Sequence, residues 1–338
     1  MKAEYYKYIL EFKRPSGTSR GVLHEKETFV LEISQNGKKG IGECAVFRGL
    51  SFDDRPDYEE KLQWLCRNID QDSEFLKEEL KEFPSIWIGY EQAVLNLKHG
   101  DNLYFPSEFT QGISSIMING LIWMGNIQYM EEQIQDKLDK GFHCIKLKIG
   151  VDWKSEHEIL QKLREKFSKE KLELRVDANG GFSTEEAKVV LQQLADLDIH
   201  SIEQPIKAGN WADMAVLCAE TPTPIALDEE LIGVTDRSEK EKLLKIIKPQ
   251  YIILKPSLIG GFAGSDEWIA LTEKQKIGWW ITSALESNLG LNAIAQYTFT
   301  KKNPMPQGLG TGSLFVNNLE SSLELNNELL WFKGVREN

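Results

Sequence analysis

Five short apolar runs in the middle of this chain end in ionisable residues, and they recur at a nearly constant interval. They occupy residues 144–149, 172–177, 201–203, 225–228 and 251–255, and their charged ends are Lys146 with Lys148, Asp177, Glu203, Asp228 and Lys255. Counted from Lys148, the steps between the last charged residues are 29, 26, 25 and 27. Each step accommodates one strand, one helix and their connections, which is the repeat of a parallel sheet wrapped by helices. A buried parallel strand is apolar throughout, and a charge on it is costly unless paired. The pattern therefore predicts adjacent strands whose charged ends rise together at one rim.

Three further runs, at 115–119, 279–283 and 307–310, bring the count to eight strands over about 200 residues, the size of a (β/α)8 barrel. Helical segments lie between them. Ser183 and Glu186 form a capping box ahead of Val190, Leu191 and Leu194. Before residue 110 the texture differs. Residues 5–12, 28–33 and 39–44 read as an antiparallel meander with turns at Pro15-Ser16-Gly17 and Asn36-Gly37, and 56–100 reads as helical around Leu62, Leu65 and Ile69. That is an α+β unit.

The charged ends suggest chemistry. The C-terminal rim of such a barrel is where its enzymes keep their active sites. Alternation puts Lys146 and Lys148 on one strand face, and Arg175, Asp177 and Asn179 on the corresponding face of the next run. Three carboxylates at one mouth repel by up to about 4 kcal/mol per pair at 4 Å, so Asp177, Glu203 and Asp228 call for a cation. An all-oxygen set without His or Cys suits Mg²⁺, with Mn²⁺ as a substitute. Lysines on either side of a chelated carboxylate substrate are placed as acid, base and counter-charge, because a neighbouring ammonium and a divalent cation disfavour a lysine's charged form.

Charge and cysteine usage narrow the partners. With 52 acidic against 40 basic residues, the net charge is -12 and the pI near 5.1, which repels nucleic acid and anionic membrane surfaces. No stretch reaches 18 uninterrupted apolar residues, and the first residues, with Glu4, Lys7 and Glu11, lack a signal peptide's apolar run. The four cysteines include no C-x-x-C pair, which predicts reduced thiols and a cytoplasmic location. The expected partner is a small-molecule carboxylate, with oligomeric state left open.

The array K-x-K (Lys146, Lys148), Val-Asp-Ala-Asn (176 to 179), Ile-Glu-Gln-Pro (202 to 205), Leu-Asp-Glu (227 to 229) and Leu-Lys-Pro (254 to 256) resembles the enolase superfamily in its muconate lactonizing subgroup. Gly40-Ile41-Gly42-Glu43 and Gly49-Leu50-Ser51 are similar to that family's N-terminal cap. The resemblance implies an α/β fold, a modified (β/α)7β barrel of the TIM type at 111–312, with an α+β capping domain at 1–110 completed by the tail 313–338. It also implies Lys148 as the residue that removes the α-proton and returns a proton to the departing hydroxyl, Lys255 as the cation opposite, and Mg²⁺ on Asp177, Glu203 and Asp228. Within the subgroup, residues 281–291 and 308–312 resemble the o-succinylbenzoate synthase family, which implies dehydration of 2-succinyl-6-hydroxy-2,4-cyclohexadiene-1-carboxylate in menaquinone synthesis. Substrate contacts implied in the same way are Lys146, Arg20 in the loop 15–22, Asn179, Ser283 and the backbone around Gly310 and Thr311. Gly310 stands where the family often has an acidic residue.

Other readings stand beside this one. An N-succinylamino acid racemase or dipeptide epimerase would use Lys148 and Lys255 as opposed bases, but residues 308–312 offer no acid to hold a dipeptide's ammonium. A Schiff-base aldolase leaves the three carboxylates unexplained. A catalytically dead barrel leaves the intact charged set unexplained. No His ends strand seven, which argues against the mandelate racemase-like subgroup. Arg175 is expected to pair with a rim carboxylate, most of the five histidines to lie in solvent, and Trp279 and Trp280 to be core.

Overall fold

The computed structural model describes residues 1–18 and 21–333. Its N-terminal part is a three-stranded antiparallel sheet in the order β1 (Lys2–Thr18), β2 (Gly21–Gln35), β3 (Lys38–Cys44). Asn36 and Gly37, both at positive φ, make the two-residue turn between β2 and β3. Helices α1 (Tyr58–Arg67), α2 (Ser73–Glu79) and α3 (Pro84–His99) follow. The long α3 lies directly against β3, because Gly40 and Gly42 leave no side chain between them. A Cβ there would stand 2.2 Å from the Ala93 carbonyl oxygen and 2.0 Å from that of Gly89. Phe29, Leu31, Leu62, Leu65 and Ile86 form the core of this unit.

Pro15-Ser16-Gly17 is not a turn. The backbone stays paired, Ser16 with Leu23 and Gly17 with Val22, after a register shift beyond Glu11. β1 is an edge strand and the shift is an irregularity, the two settings in which a strand tolerates proline's missing donor. The bulged segment serves a purpose: the Lys13 amide donates to the Leu314 carbonyl and Phe12 packs at a tilt against Phe315, which fastens the tail to the sheet. Arg20, an expected substrate contact, lies outside the described residues, as do 334–338.

After β4 (Ile116–Met117), seven parallel strands form one curled sheet: β5 (Gly120–Ile122), β6 (Cys144–Lys148), β7 (Glu173–Asp177), β8 (Ser201–Glu203), β9 (Ile225–Leu227), β10 (Tyr251–Leu254) and β11 (Gly278–Ile281). Helices α4 (Ile127–Asp139), α5 (Trp153–Lys166), α6 (Thr184–Asp196), α7 (Trp211–Glu220), α8 (Arg237–Ile247) and α9 (Gly261–Gln275) separate them, and α10 (Asn288–Thr300) follows β11. The Ser183–Glu186 capping box starts α6 as the sequence predicts. The eighth position is a two-residue seam. Gln307 bridges Ile118 and Gly308 bridges Thr282, both in parallel, and this closes the barrel into a (β/α)7β form. Trp279 and Trp280 are buried, and His200 is half-buried against Tyr251 and Trp280 rather than in solvent.

The first predicted barrel strand, 115–119, is displaced. Gly120–Ile122 pairs with β6, whereas Ile116–Met117 pairs with β13 (Leu329–Phe332), which lies between it and β12 (Leu323–Asn326), its partner in a hairpin. The cause is competition for apolar partners: Leu330 faces Ile116 across the ladder, and both are buried.

Candidate functional site

Each parallel strand sends alternate side chains into the barrel, so the residue two before a rim residue lies one layer below it. Trp280, Ile253 and Ala226 pack together in that lower layer, beneath the positions of Thr282, Lys255 and Asp228. Above it, Lys146, Lys148, Asp177, Asn179, Lys255, Thr282, Ser283, Gly308, Gly310 and Thr311 line one cavity with Asn119, Leu121 and Trp123. The cap supplies Phe47 and Leu50 from the loop after β3. All expected site residues within the described chain are therefore gathered at one rim. Glu203 and Asp228 join it by contact with the lysines.

At the ends of β6 to β10 the charges interlock. Lys146 Nζ donates to Glu203 Oε2 at 2.6 Å and lies 3.7 Å from Asp177 Oδ2. Lys148 Nζ donates to Asp177 Oδ2 at 2.8 Å and to Asn179 Oδ1 at 2.6 Å. Lys255 pairs with Asp228 and stands 3.7 Å from Glu203 Oε1. Burial alone would raise the Asp177 carboxyl, but Lys148, Lys146 and Lys255 outweigh it and hold it below the usual range. Burial would likewise lower Lys255 and Lys146, and the carboxylates beside them raise both instead. Asp228 goes the other way: burial, with Glu229 and Glu203 adding to it, pushes its carboxyl up even beside Lys255.

That imbalance bears on whether a cation fits. Glu203 Oε1 is buried and has no hydrogen-bond partner, a costly state for a carboxylate oxygen. A hard divalent ion would satisfy it and relieve the repulsion that raises Asp228. The oxygens of Asp177, Glu203 and Asp228 thus fit such an ion chemically. They are not drawn into a ready cage, since among the described residues no three His, Cys, Asp or Glu side chains are grouped to hold one. The three lysines now occupy the oxygens that an ion would contest.

The remaining wall is uncharged. Ser283 Oγ and Thr311 Oγ1 share a 2.6 Å hydrogen bond. A Cβ on Gly310 would make only ordinary contacts, 3.5 Å from Ile118 Cδ1, whereas one on Gly308 would stand 1.8 Å from Thr282 Oγ1. Thr282 Oγ1 and Asn119 Oδ1 are buried without hydrogen-bond partners.

Several neighbours were not marked by the sequence. Gln204, at positive φ, accepts from the Asp228 and Glu230 amides and donates to Glu230 Oε2, holding the end of β9 against that of β8. Glu229 Oε1 accepts from Asn179 Nδ2 at 3.1 Å. Trp123 lies below Lys148, its ring centroid 6.0 Å from Nζ, and Gln133 clamps the Trp123 backbone at both N–H and C=O. Asn179, Gln204 and Leu285 all take positive φ one or two residues beyond a strand-end site residue, and backbone strain of this kind gathers at functional sites. Gln204 and Glu229 had a signal, their places in Ile-Glu-Gln-Pro and Leu-Asp-Glu. Arg175 does not pair with a rim carboxylate. It points to the barrel floor, where it binds Glu173 at 2.7 Å and lies 4.3 Å over Trp280, because alternation places it one layer below Asp177.

Residues 129–323 match the family model of enolase C-terminal domain-like proteins. An o-succinylbenzoate synthase from Desulfotalea psychrophila is 44% identical, with 98% of each chain covered. The crystal structure of MenC from the same organism superposes with a TM-score of 0.87 at 40% identity, covering 98% of this chain and 99% of that one. An N-succinylamino acid racemase from Thermus thermophilus is 32% identical over 46% of this chain and 40% of its own.

Proposed function

The chain belongs to the enolase superfamily, and from that premise we propose that it dehydrates 2-succinyl-6-hydroxy-2,4-cyclohexadiene-1-carboxylate to 2-succinylbenzoate, the o-succinylbenzoate synthase reaction of menaquinone biosynthesis. The observation that carries this reading is the near full-length likeness to an o-succinylbenzoate synthase, on a rim where Lys148 and Lys255 flank an arc of three carboxylates.

The reaction removes the proton α to the ring carboxylate and expels the neighbouring hydroxyl as water. Asp177, Glu203 and Asp228 are the residues that would hold Mg²⁺, which when bound supplies positive charge against the substrate carboxylate. Lys148 Nζ, as the free amine, takes the α-proton and becomes an ammonium. It then hands a proton to the leaving hydroxyl on the same face, so the elimination is syn and the lysine is restored. Lys255, held as an ammonium by its carboxylate neighbours, opposes the enediolate charge from the other side. Asn179 orients Lys148 through the 2.6 Å contact, and Lys146 neutralises Glu203. Trp123, Phe47 and Leu50 exclude water from the ring. Ser283 and Thr311, with the backbone at Gly310, are assigned to the succinyl carboxylate.

The cap (1–110, completed by the tail 313–338) and barrel (111–312) form the functional division in this reading, supported by a second core, Phe29 to Ala93, that lies wholly within the cap, while Leu10, Phe47 and the tail's Phe315 and Leu330 join the barrel core. A cytoplasmic location belongs to it too, supported by four unpaired cysteines. Among the described residues no helix is long and apolar enough to cross a membrane.

The test is loss of the cyclohexadiene absorbance with purified protein, before and after EDTA. Turnover that stops with EDTA and returns with Mg²⁺ is expected. Turnover indifferent to chelation sinks the metal assignment, and no turnover with Mg²⁺ present sinks the reaction.

A further inference from the structure

Behind the cavity lies a buried acidic side chain that the mechanism does not use. Glu286 follows β11, is fully buried, and divides its two oxygens between two segments of the rim. Oε1 accepts from Ser257 Oγ at 2.6 Å, in the short turn Pro256–Leu258 that directly follows Lys255. Oε2 accepts from the Ala284 amide at 2.7 Å, next to Ser283. One carboxylate therefore spans the turn carrying the proposed cation and the segment carrying a proposed substrate contact.

The cap reaches the same place. Lys26 of β2 is buried and its Nζ has no hydrogen-bond partner; burial lowers its pKa, and the charges that oppose this are Glu43, Glu286 and Glu27. Glu43 is already committed: it accepts from Thr28 Oγ1 at 2.8 Å, and from Ser287 and Gly290 at the start of α10. An ammonium buried without hydrogen bonds is costly unless opposite charge stands near it. Here that charge comes from a cap carboxylate and a barrel carboxylate together.

We propose that Glu286 is a positioning residue for the dehydration, setting the Lys255 turn against the Ser283 segment, and that Lys26 of the cap holds Glu286 in that role; this rests on the functional reading above. The cap thereby acts on the reacting wall through a charge at its root as well as through the loop residues Phe47 and Leu50.

Steady-state dehydration and melting temperature are measured for the wild type, Ser257→Ala, Glu286→Gln, Lys26→Met and the last two combined. The wild-type rate tests the functional reading, and the ratio of variant to wild type tests this inference. Glu286→Gln is expected to lose about 10- to 100-fold in kcat with KM within about threefold, the cost of a misplaced catalytic group. Ser257→Ala removes one hydroxyl and is expected to lose about 3- to 10-fold in kcat at an unchanged melting temperature; it carries the test if Glu286→Gln does not fold. Lys26→Met is expected to slow the wild type and leave Glu286→Gln little changed. A folded Glu286→Gln or Ser257→Ala with kcat within twofold of wild type overturns the proposal, as does a Lys26→Met effect that multiplies in full on Glu286→Gln.

Discussion

The two walls of the cavity differ in kind. From β6 to β10, every strand ends in charge or is followed directly by it, and the side chains are locked to one another at 2.6 to 2.8 Å. From β11 through the Gln307–Gly308 seam to Trp123, the wall offers hydroxyls, glycines, an amide and an indole, and no ionisable side chain. The contrast teaches a division of labour. Moving a proton and carrying negative charge demand ionised groups held rigidly, and these belong to one arc of five strands. Choosing which carboxylate enters demands shape and a few neutral hydrogen bonds, and these belong to the other.

The sharpest way to break that division is to remove the base. Lys148→Ala is expected to lower kcat by about 10³-fold while 2-succinylbenzoate still binds in calorimetry. Lost binding with residual turnover intact would show that the charged wall selects substrate rather than transforming it. The converse change is milder. Ser283→Ala combined with Thr311→Val removes the 2.6 Å hydroxyl pair and is expected to raise KM about tenfold with kcat within about threefold. A fall confined to kcat would mean that the neutral wall takes part in the chemistry.

The smallest effect touches neither wall and serves as a control. Asp53, beyond the cap loop that carries Phe47 and Leu50, is pushed up to about 6 by burial, against its bonds from the Ser85 amide and hydroxyl. Its Oδ1 is buried and unpartnered, which fits a carboxyl that keeps its proton. Between the ordinary value of 3.8 and about 6, the folded state holds a proton that the unfolded chain releases. This stabilisation is present in full below that window and is lost as pH rises through it. The melting temperature of wild type relative to Asp53→Asn is therefore expected to fall by a few degrees from pH 4 to pH 6.5. A constant difference would place the titration elsewhere, and kcat of Asp53→Asn is expected to match wild type.

The two walls also differed in how legible they were. Lys146, Lys148, Asp177, Glu203, Asp228 and Lys255 stand out in sequence because an ionised residue ending an apolar run has few innocent explanations. Trp123, Thr282 and Asn119 have many, and only the closed barrel shows that they share a cavity. The fold shows the same asymmetry. β8 begins and ends where its apolar run does, but Ile116–Met117 reads as well for one sheet as for another, and the choice is made by Leu329 and Leu330, more than 200 residues away. Arg175 reads as a rim residue because its sequence neighbour Asp177 is at the rim, while its layer is the floor. Pro15 signals a break, yet an edge strand absorbs it.

The seam that closes the barrel has a consequence for how the molecule is made. Ile118 meets Gln307, Phe12 meets Phe315 and the Ile118 amide donates to the Glu328 carbonyl, so the ring and the sheet are both fastened by segments synthesised about 190 to 300 residues after their partners. A ribosome adding roughly 5 to 20 residues per second therefore holds, for tens of seconds, a sheet edge and an unclosed ring with nothing yet to cover them. Late closure is built into this topology, and the charged rim completes its setting only when the last pairings arrive.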